Sequence, residues 1–254
     1  MNIYLNNNNK TKLVAKNITV KYEGSSVIED VSLELNKGEI VCLLGVSGVG
    51  KTTLFNVISG LLKPDSGTVE LDGVNITGKA GNVSYMLQKD LLLPYKTIID
   101  NVALPLVIRG EKKQRAREIA SKYFEEFGLE GTENKYPKQL SGGMRQRTAL
   151  LRTYLFSDRV ALLDEPFSAL DSITKSNMHQ WYLKVMEQIK LATLLITHDI
   201  DEAITLSDRI YIMSGKPGRI NEEICIEQPK PRDKDFNVSE SFIKYKKHIL
   251  DILE

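Results

Sequence analysis

Two kinds of hydrophobic pattern alternate along this chain of 254 residues. Segments 13–22 and 27–35 alternate apolar with polar side chains, which is typical of antiparallel strands that bury one face. Segments 39–44, 160–163 and 192–197 are nearly continuous apolar runs, and such runs predict strands buried on both faces, as in parallel sheets. The pattern therefore predicts an α/β protein with a small antiparallel sheet near its start.

A helical period replaces the strand patterns between residues 97 and 157. The apolar residues predicted to share helix faces in this region are Ile98, Val102, Leu106, Ile119, Tyr123, Phe124 and Phe127. Shorter strands are predicted at 67–71, 82–87, 209–213 and 219–226. An amphipathic helix is predicted at 238–253, and we expect its apolar stripe to dock on the core.

These patterns divide the chain into three parts. Residues 1–88 and 158–226 are expected to form an α/β core together with its antiparallel β subdomain. Residues 89–157 are expected to form a helical subdomain inserted into that core, and residues 227–254 a helical tail.

The composition is that of an ordinary globular protein, with 42% apolar and 26% charged residues. The net charge of +1 gives no global electrostatic reason to expect nucleic acid as a partner. No stretch approaches the about 18 apolar residues that a membrane-spanning helix needs. Cys42 and Cys225 are the two cysteines, so a disulfide framework is not indicated and a reducing, cytosolic setting is expected.

A glycine-rich segment, residues 45–53, follows the first buried strand and fits the pattern G-x-x-x-x-G-K-[ST]. Glycine lets backbone amides approach phosphate oxygens, the lysine would neutralise phosphate charge, and the threonine hydroxyl would ligate Mg²⁺. The residues predicted to contact nucleotide are Gly45, Ser47, Gly48, Gly50, Lys51, Thr52 and Thr53. This segment, called the phosphate loop below, predicts a nucleoside triphosphate site.

Polar residues follow two other buried strands and are expected at the same edge of the sheet, because ligands of parallel sheets bind at the carboxyl ends of strands. Asp164 would hold Mg²⁺ through a water molecule, and Glu165 would polarise an attacking water. His198 could donate to a γ-phosphate, although a lone histidine is more often a surface or packing residue.

A second candidate anion site precedes the apolar helical run at 148–156. Ser141, Gly142 and Gly143 place a hydroxyl and two small residues ahead of a helix, where amides and the helix dipole favour an anion. As a bare turn this signal is weak. Its position, about a hundred residues after the phosphate loop, is what gives it meaning.

In this order and spacing, the motifs resemble those of ATP-binding-cassette proteins over residues 13–226. The resemblance implies a P-loop NTPase (RecA-like) core with an N-terminal antiparallel β subdomain and an inserted α-helical subdomain. It assigns Tyr22 to stacking on adenine, where the residue alone could equally be an ordinary strand aromatic. It also assigns Gln88 to catalysis and metal binding, and it places Gln146 and Asp171 at the nucleotide.

The same resemblance implies partners for the chain. Two copies would enclose ATP head to tail, so that each γ-phosphate meets Lys51 and His198 of one copy and residues 141–143 of the other. Residues 93–102 resemble the coupling region of bacterial importers, where a membrane permease docks at the cytoplasmic side of the cell membrane. An extracellular substrate-binding protein would take part indirectly.

Details of the sequence most resemble the nitrate, sulfonate and taurine import group, which includes transporters for thiamine precursors. The residues that carry this likeness lie at 138–140, 167–171 and 214–220. Tyr95 stands where the group usually has tryptophan, and Arg152-Thr153-Tyr154 stands where an Arg-Ala-Leu run is common. These departures leave the cargo open.

Two other hypotheses compete with an importer ATPase. A soluble cassette ATPase that acts on nucleic acid or ribosomes usually has a long coiled-coil insertion or two cassettes, and the near-zero net charge disfavours it. A P-loop kinase would need an acceptor pocket and a lid, and it leaves residues 141–146 unexplained.

Overall fold

Two β-sheets and the helices around them make up the computed structural model, which describes residues 11–157, 159–230, 232 and 234–253. The strands are β1 (Thr11–Tyr22), β2 (Ser25–Asn36), β3 (Ile40–Leu44), β4 (Ser66–Leu71), β5 (Val74–Asn75), β6 (Ser84–Met86), β7 (Val160–Asp164), β8 (Ala192–Thr197), β9 (Arg209–Ser214) and β10 (Arg219–Cys225). The α-helices are α1 (Lys51–Ile58), α2 (Ile98–Val102), α3 (Leu104–Ile108), α4 (Lys113–Ser121), α5 (Gly142–Phe156), α6 (Ser172–Ile189), α7 (Ile200–Leu206) and α8 (Glu240–Leu253).

The two sheets have different topologies. One is antiparallel, in the order β2-β1-β4-β5. The other has the order β10-β9-β3-β8-β7-β6, in which β10 and β9 are antiparallel and the remaining neighbours are parallel. This arrangement confirms the predicted fold class. The proposed domain boundaries stay a prediction. Residues 1–10 and 158 of the expected core, and residues 231, 233 and 254 of the expected tail, lie outside the described residues.

Burial explains why the central strands read as unbroken apolar runs. Every residue of β3, β7 and β8 is buried. In β3, Val41 and Leu43 join a cluster with the antiparallel sheet and α1, whereas Ile40, Cys42 and Leu44 join a second cluster with the helices of the other face. Because successive side chains of a strand point to opposite faces, one short run contributes to two cores.

The helical region differs from the prediction at one place. A helix was predicted to continue through Phe127, but α4 ends at Ser121 and the next residues form turns. The amides of Tyr123 and Phe124 bond to carbonyls three residues earlier, at 3.2 Å each. Phe124 and Phe127 are still buried, so a chain of turns satisfies the same apolar pattern that a helix would. The prediction also missed α6 and α7.

The tail docks on the core as predicted. Phe242 and Ile249 of α8 are buried, and Tyr245 and Ile252 pack against the same cluster as the core helices. None of the helices in the described part of the chain is long and apolar enough to cross a membrane.

Candidate active site

The phosphate loop connects β3 to α1 and packs closely against the rest of the chain. A Cβ atom at Gly45 would lie 2.3 Å from the carbonyl oxygen of Met213, and one at Gly50 would lie 2.3 Å from Cγ2 of Ile28. Gly50 also has a φ of +110°, a backbone conformation that residues other than glycine rarely adopt. Glycine at these two positions is therefore required by packing, and at Gly50 by conformation as well.

Lys51 is drawn into the loop that precedes it. Its Nζ donates to the carbonyl of Gly45 at 2.6 Å and to that of Val46 at 3.0 Å, and the residue is buried. Burial lowers the pKa of the ammonium group, while the carboxylates of Glu165 and Asp164 oppose that shift. The arrangement encloses a cation among backbone dipoles at the mouth of a cleft, where an anionic ligand would find a charge partner.

Asp164, the last residue of β7, faces this loop. Its Oδ2 accepts from the hydroxyl of Thr52 at 3.3 Å and from that of Tyr85 at 3.4 Å. Burial raises the pKa of this carboxyl, although the two hydroxyl bonds oppose the shift. Tyr85 was not predicted to be part of the site, because an aromatic residue in so short a strand is equally typical of the core.

Glu165 follows in the left-handed region, with a φ of +45°, and both of its carboxylate oxygens have partners. Gln88 Nε2 donates to Oε2 at 3.0 Å, and His198 Nδ1 lies 2.9 Å from Oε1. The parallel pairing of β7 with β8, in which Asp164 lies opposite Ile196, brings Glu165 and His198 to the same sheet edge. The three residues predicted to be catalytic are therefore in direct contact.

These groups line one cleft of about 410 Å³. Its lining among the described residues is Val27, Ser47, Gly48, Gly50, Lys51, Thr52, Thr53, Gln88, Asp164, Glu165, Ile196 and His198. An adjoining cleft of about 640 Å³ shares Gln88, Glu165 and His198, and it adds Gly142 and Gln146. The phosphate loop and the strand-end residues therefore lie around one cleft, and their roles toward nucleotide stay a prediction.

Seven of the predicted nucleotide contacts lie outside the lining of the first cleft. Gly45 is the first residue of the phosphate loop, and Gly142 and Gln146 line the adjoining cleft. Ser141 caps α5 by accepting from the amide of Met144 at 3.3 Å, and Gly143 follows it in the helix. Asp171 caps α6 in the same way, through the amide of Thr174 at 3.0 Å. The remaining residue is Tyr22, which is half exposed at the end of β1.

Gln146 has a structural contact that its motif did not predict. Its Nε2 donates to the carbonyl of Pro166 at 2.6 Å, and the residue is buried. Since Pro166 follows Glu165 directly, this bond ties α5 to the turn that carries the carboxylate. No signal in the sequence distinguishes this inward orientation from one that faces nucleotide.

The sequence pattern of the family described as "ABC transporter" matches residues 28–168, more than half of the chain. The chain belongs to the ABC transporter family. It is 48% identical to the formylaminopyrimidine import ATP-binding protein ThiZ of Halalkalibacterium halodurans, over 82% of either chain. It is 36% identical to the nitrate import ATP-binding protein NrtD of Synechocystis, over 93% of this chain and 91% of that protein.

A solved structure agrees with the family assignment. The dimeric bacterial ABC transporter cassette MJ0796 is 29% identical, and the two folds superpose with a TM-score of 0.71 over 85% of this chain and all of that one. The same cassette has also been solved in a post-hydrolysis state bound to ADP and phosphate. The resemblance inferred from the sequence is thus confirmed, and the chain is an ATP-binding and ATP-hydrolysing subunit.

Replacing Gly50 with alanine should weaken ATP binding about tenfold or more, because the new Cβ would meet Ile28 and force the loop to move. The matched control is Gly73→Ala, which has a φ of +77° but no atom within 4 Å of the added Cβ. Titration with a fluorescent ATP analogue measures the affinity. Equal losses in the two variants would contradict the packing explanation.

Proposed function

We propose that this chain energises a bacterial importer, and that two copies of it hydrolyse Mg-ATP at shared sites to drive a separate membrane permease. The observation that carries the proposal is the division of the anion-binding groups between two places in one chain. The phosphate loop lines one cleft, whereas Ser141 caps α5 and Gly143 lies in the first turn of that helix, both outside the cleft. The dimeric solved cassette supports the idea that a second copy supplies the missing groups.

In the proposed complex, the phosphate loop holds the phosphates and Lys51 neutralises their charge. Tyr22 lies at the end of β1 and is half exposed, so its ring is free to stack on the adenine without leaving a packed core. From the second copy, residues 141–143 present the N-terminus of α5 to the γ-phosphate. The nucleotide would then bridge two surfaces, and its hydrolysis would remove the charge that holds them together.

The cleft fits Mg²⁺ by the chemistry of its donors. The Thr52 hydroxyl, the Asp164 carboxylate and the Gln88 amide oxygen are hard ligands of the kind that Mg²⁺ prefers. No group of three or more His, Cys, Asp or Glu suited to a metal occurs among the described residues, so water and phosphate would have to complete the coordination. When bound, the ion would neutralise charge on the phosphate oxygens.

Glu165 is the proposed group that orients the attacking water and takes its proton. Both of its oxygens are engaged, by Gln88 at 3.0 Å and by His198 at 2.9 Å. Each carboxylate oxygen keeps a further acceptor site, so a water can bind Glu165 beside these two partners. Gln88 and His198 therefore orient the carboxylate for the attacking water.

The proposed permease site is an apolar groove of about 400 Å³ between the core and the helical region. Its lining includes Leu61, of which 66% is exposed, and Ile108, of which 73% is exposed. Leu87 and Lys89 line it too, so the groove flanks Gln88 on both sides in sequence. Apolar surface of this kind suits a short helix of a partner protein.

The proposed cargo is a small solute of the kind named in the relatives, nitrate-, sulfonate-, taurine- or thiamine-precursor-like. A taurine import ATP-binding protein of Escherichia coli, TauB, is 40% identical over 80% of either chain. The chain would work at the cytoplasmic side of the cell membrane, attached through the permease, with an extracellular binding protein delivering the solute. Nucleic acid is not part of this proposal, in keeping with the net charge of +1.

Glu165→Gln should slow ATP hydrolysis by about a hundredfold or more, because the amide cannot take a proton from water. ATP should still bind, and a stable dimer should appear in size-exclusion chromatography with ATP. The control is Glu70→Gln, which alters an exposed carboxylate of the antiparallel sheet and should leave turnover unchanged. Retained turnover in the Glu165 variant would reject this residue as the base.

Ser141→Arg should abolish turnover while leaving nucleotide binding to the phosphate loop intact. Lys51→Ala should be inactive for the complementary reason. If two copies share each site, a mixture of the two variants contains mixed dimers with one intact site, and about a quarter of the activity should return. A mixture as inactive as its two parents would contradict the shared site.

Ile108→Glu should prevent capture of an integral membrane protein in a gentle membrane pull-down, while ATP hydrolysis by the free chain persists. The control, Ile243→Glu, alters an exposed isoleucine on α8 and should capture the same partner as the unaltered chain. Mass spectrometry of the captured proteins identifies the permease. Recovery of nucleic acid or ribosomal proteins in its place would favour the soluble ATPase hypothesis.

A further inference from the structure

Arg232, in the tail, is a buried cation with no place in the proposed chemistry. Only 1% of the residue is exposed. Its Nη1 donates to the carbonyls of Ile204 at 2.6 Å and Thr205 at 3.0 Å, and its Nε donates to that of Gln228 at 3.1 Å. Burial lowers the pKa of its guanidinium to about 10, which leaves the group charged at neutral pH. Such a burial is costly unless the acceptors stay in place.

The carbonyls of Ile204 and Thr205 belong to the last turn of α7. Carbonyl groups at a helix end have no partner within the helix and carry partial negative charge, so a cation there stabilises the end. The tail makes two further contacts with this region. Asn237 Oδ1 lies 3.2 Å from Thr205 Oγ1, and Lys246 pairs with Asp201 at 2.7 Å. The tail therefore contacts both ends of α7.

Helix α6 also contacts α7. His179 lies 3.3 Å from Glu202 in a buried pair, and Lys175 pairs with Asp199 at 3.0 Å. The amide nitrogen of Gln180 side chain, also on α6, donates to the carbonyl of Arg232 at 3.3 Å. Thus α6 and the tail both contact α7, and Arg232 contacts both helices.

The position of α7 matters because His198 lies next to its N-cap residue. Asp199 is the N-cap of α7, and its amide bonds to Thr197 Oγ1 at 3.0 Å. Only one residue thus separates His198 from the helix, and α7 is about 10 Å long at 1.5 Å per residue. Because α7 is so short, a rigid-body shift of the helix would also move the adjoining histidine, whereas catalytic geometry tolerates a displacement of only about 0.5 Å.

We propose that the tail, in its described residues 227–230, 232 and 234–253, is a positioning element for His198, and that Arg232 is the residue through which it fixes α7. This inference rests on the role proposed above for His198 in hydrolysis. It gives the tail a function in turnover, and it makes no use of contact between the tail and nucleotide.

The test compares Arg232→Met with Arg232→Lys in the full chain. The methionine variant should lower kcat for ATP about tenfold with KM within about twofold, because positioning is lost and binding is not. Lysine keeps a cation at the helix end and should restore kcat to within about threefold of the unaltered chain. Hydrogen exchange of the amides at 200–206 should accelerate in the methionine variant, while that of α1 should not.

Arg117→Met is the matched control for general loss of stability. Arg117 makes a two-bond ion pair with Asp100, at 2.7 and 2.8 Å, in the helical region. The Arg117→Met variant should have a lower melting temperature and an unchanged kcat. The proposal is overturned if Arg232→Met leaves kcat unchanged, or if the two arginine variants lose kcat in proportion to stability. His198→Ala separates the two proposals, since full activity in that variant would instead reject the role of His198.

Discussion

The close packing of the phosphate loop against three other segments is the constraint on which the site depends. A side chain at Gly45 would meet Met213 of β9, and one at Gly50 would meet Ile28 of β2. A Cβ atom at Gly218 would likewise lie 2.0 Å from the carbonyl oxygen of Val49, within the phosphate loop. The backbone of residue 218 is itself bonded to Val27 and Glu29 of β2. The loop therefore acquires its shape only when both sheets have come together.

This constraint explains which parts of the site a sequence can reveal. The loop, the buried strands and the acidic pair are local patterns, because each depends on the period or spacing of residues close in the chain. Parallel strands share one edge, so the meeting of Asp164, Glu165 and His198 followed from the strand prediction. The prediction placed the end of α4 too far along the chain, because turns and a helix can bury aromatic residues at the same spacing.

Other features could not be predicted because they depend on pairs of residues that are distant in sequence. The bond from Gln146 to Pro166 and the hydroxyl of Tyr85 at Asp164 join segments 20 and 79 residues apart. Arg232 reads in the sequence as one more charged residue of a polar stretch, and only the fold buries it on α7. Motifs identify the groups that do chemistry, whereas the residues that hold those groups are visible only after the chain has folded.

The contacts of Glu165 connect a group that does chemistry to the residues that hold it. Its carboxylate is held by Gln88 on one side and by His198 on the other, and the two residues leave the site in different directions. Gln88 continues into the segment that lines the apolar groove, and His198 continues into α7 and its contacts with the tail. Because hydrogen bonds to one carboxylate share its charge, strengthening or releasing either bond alters the other. Through its two hydrogen-bond partners, the Glu165 carboxylate is therefore linked to both the apolar groove and the tail.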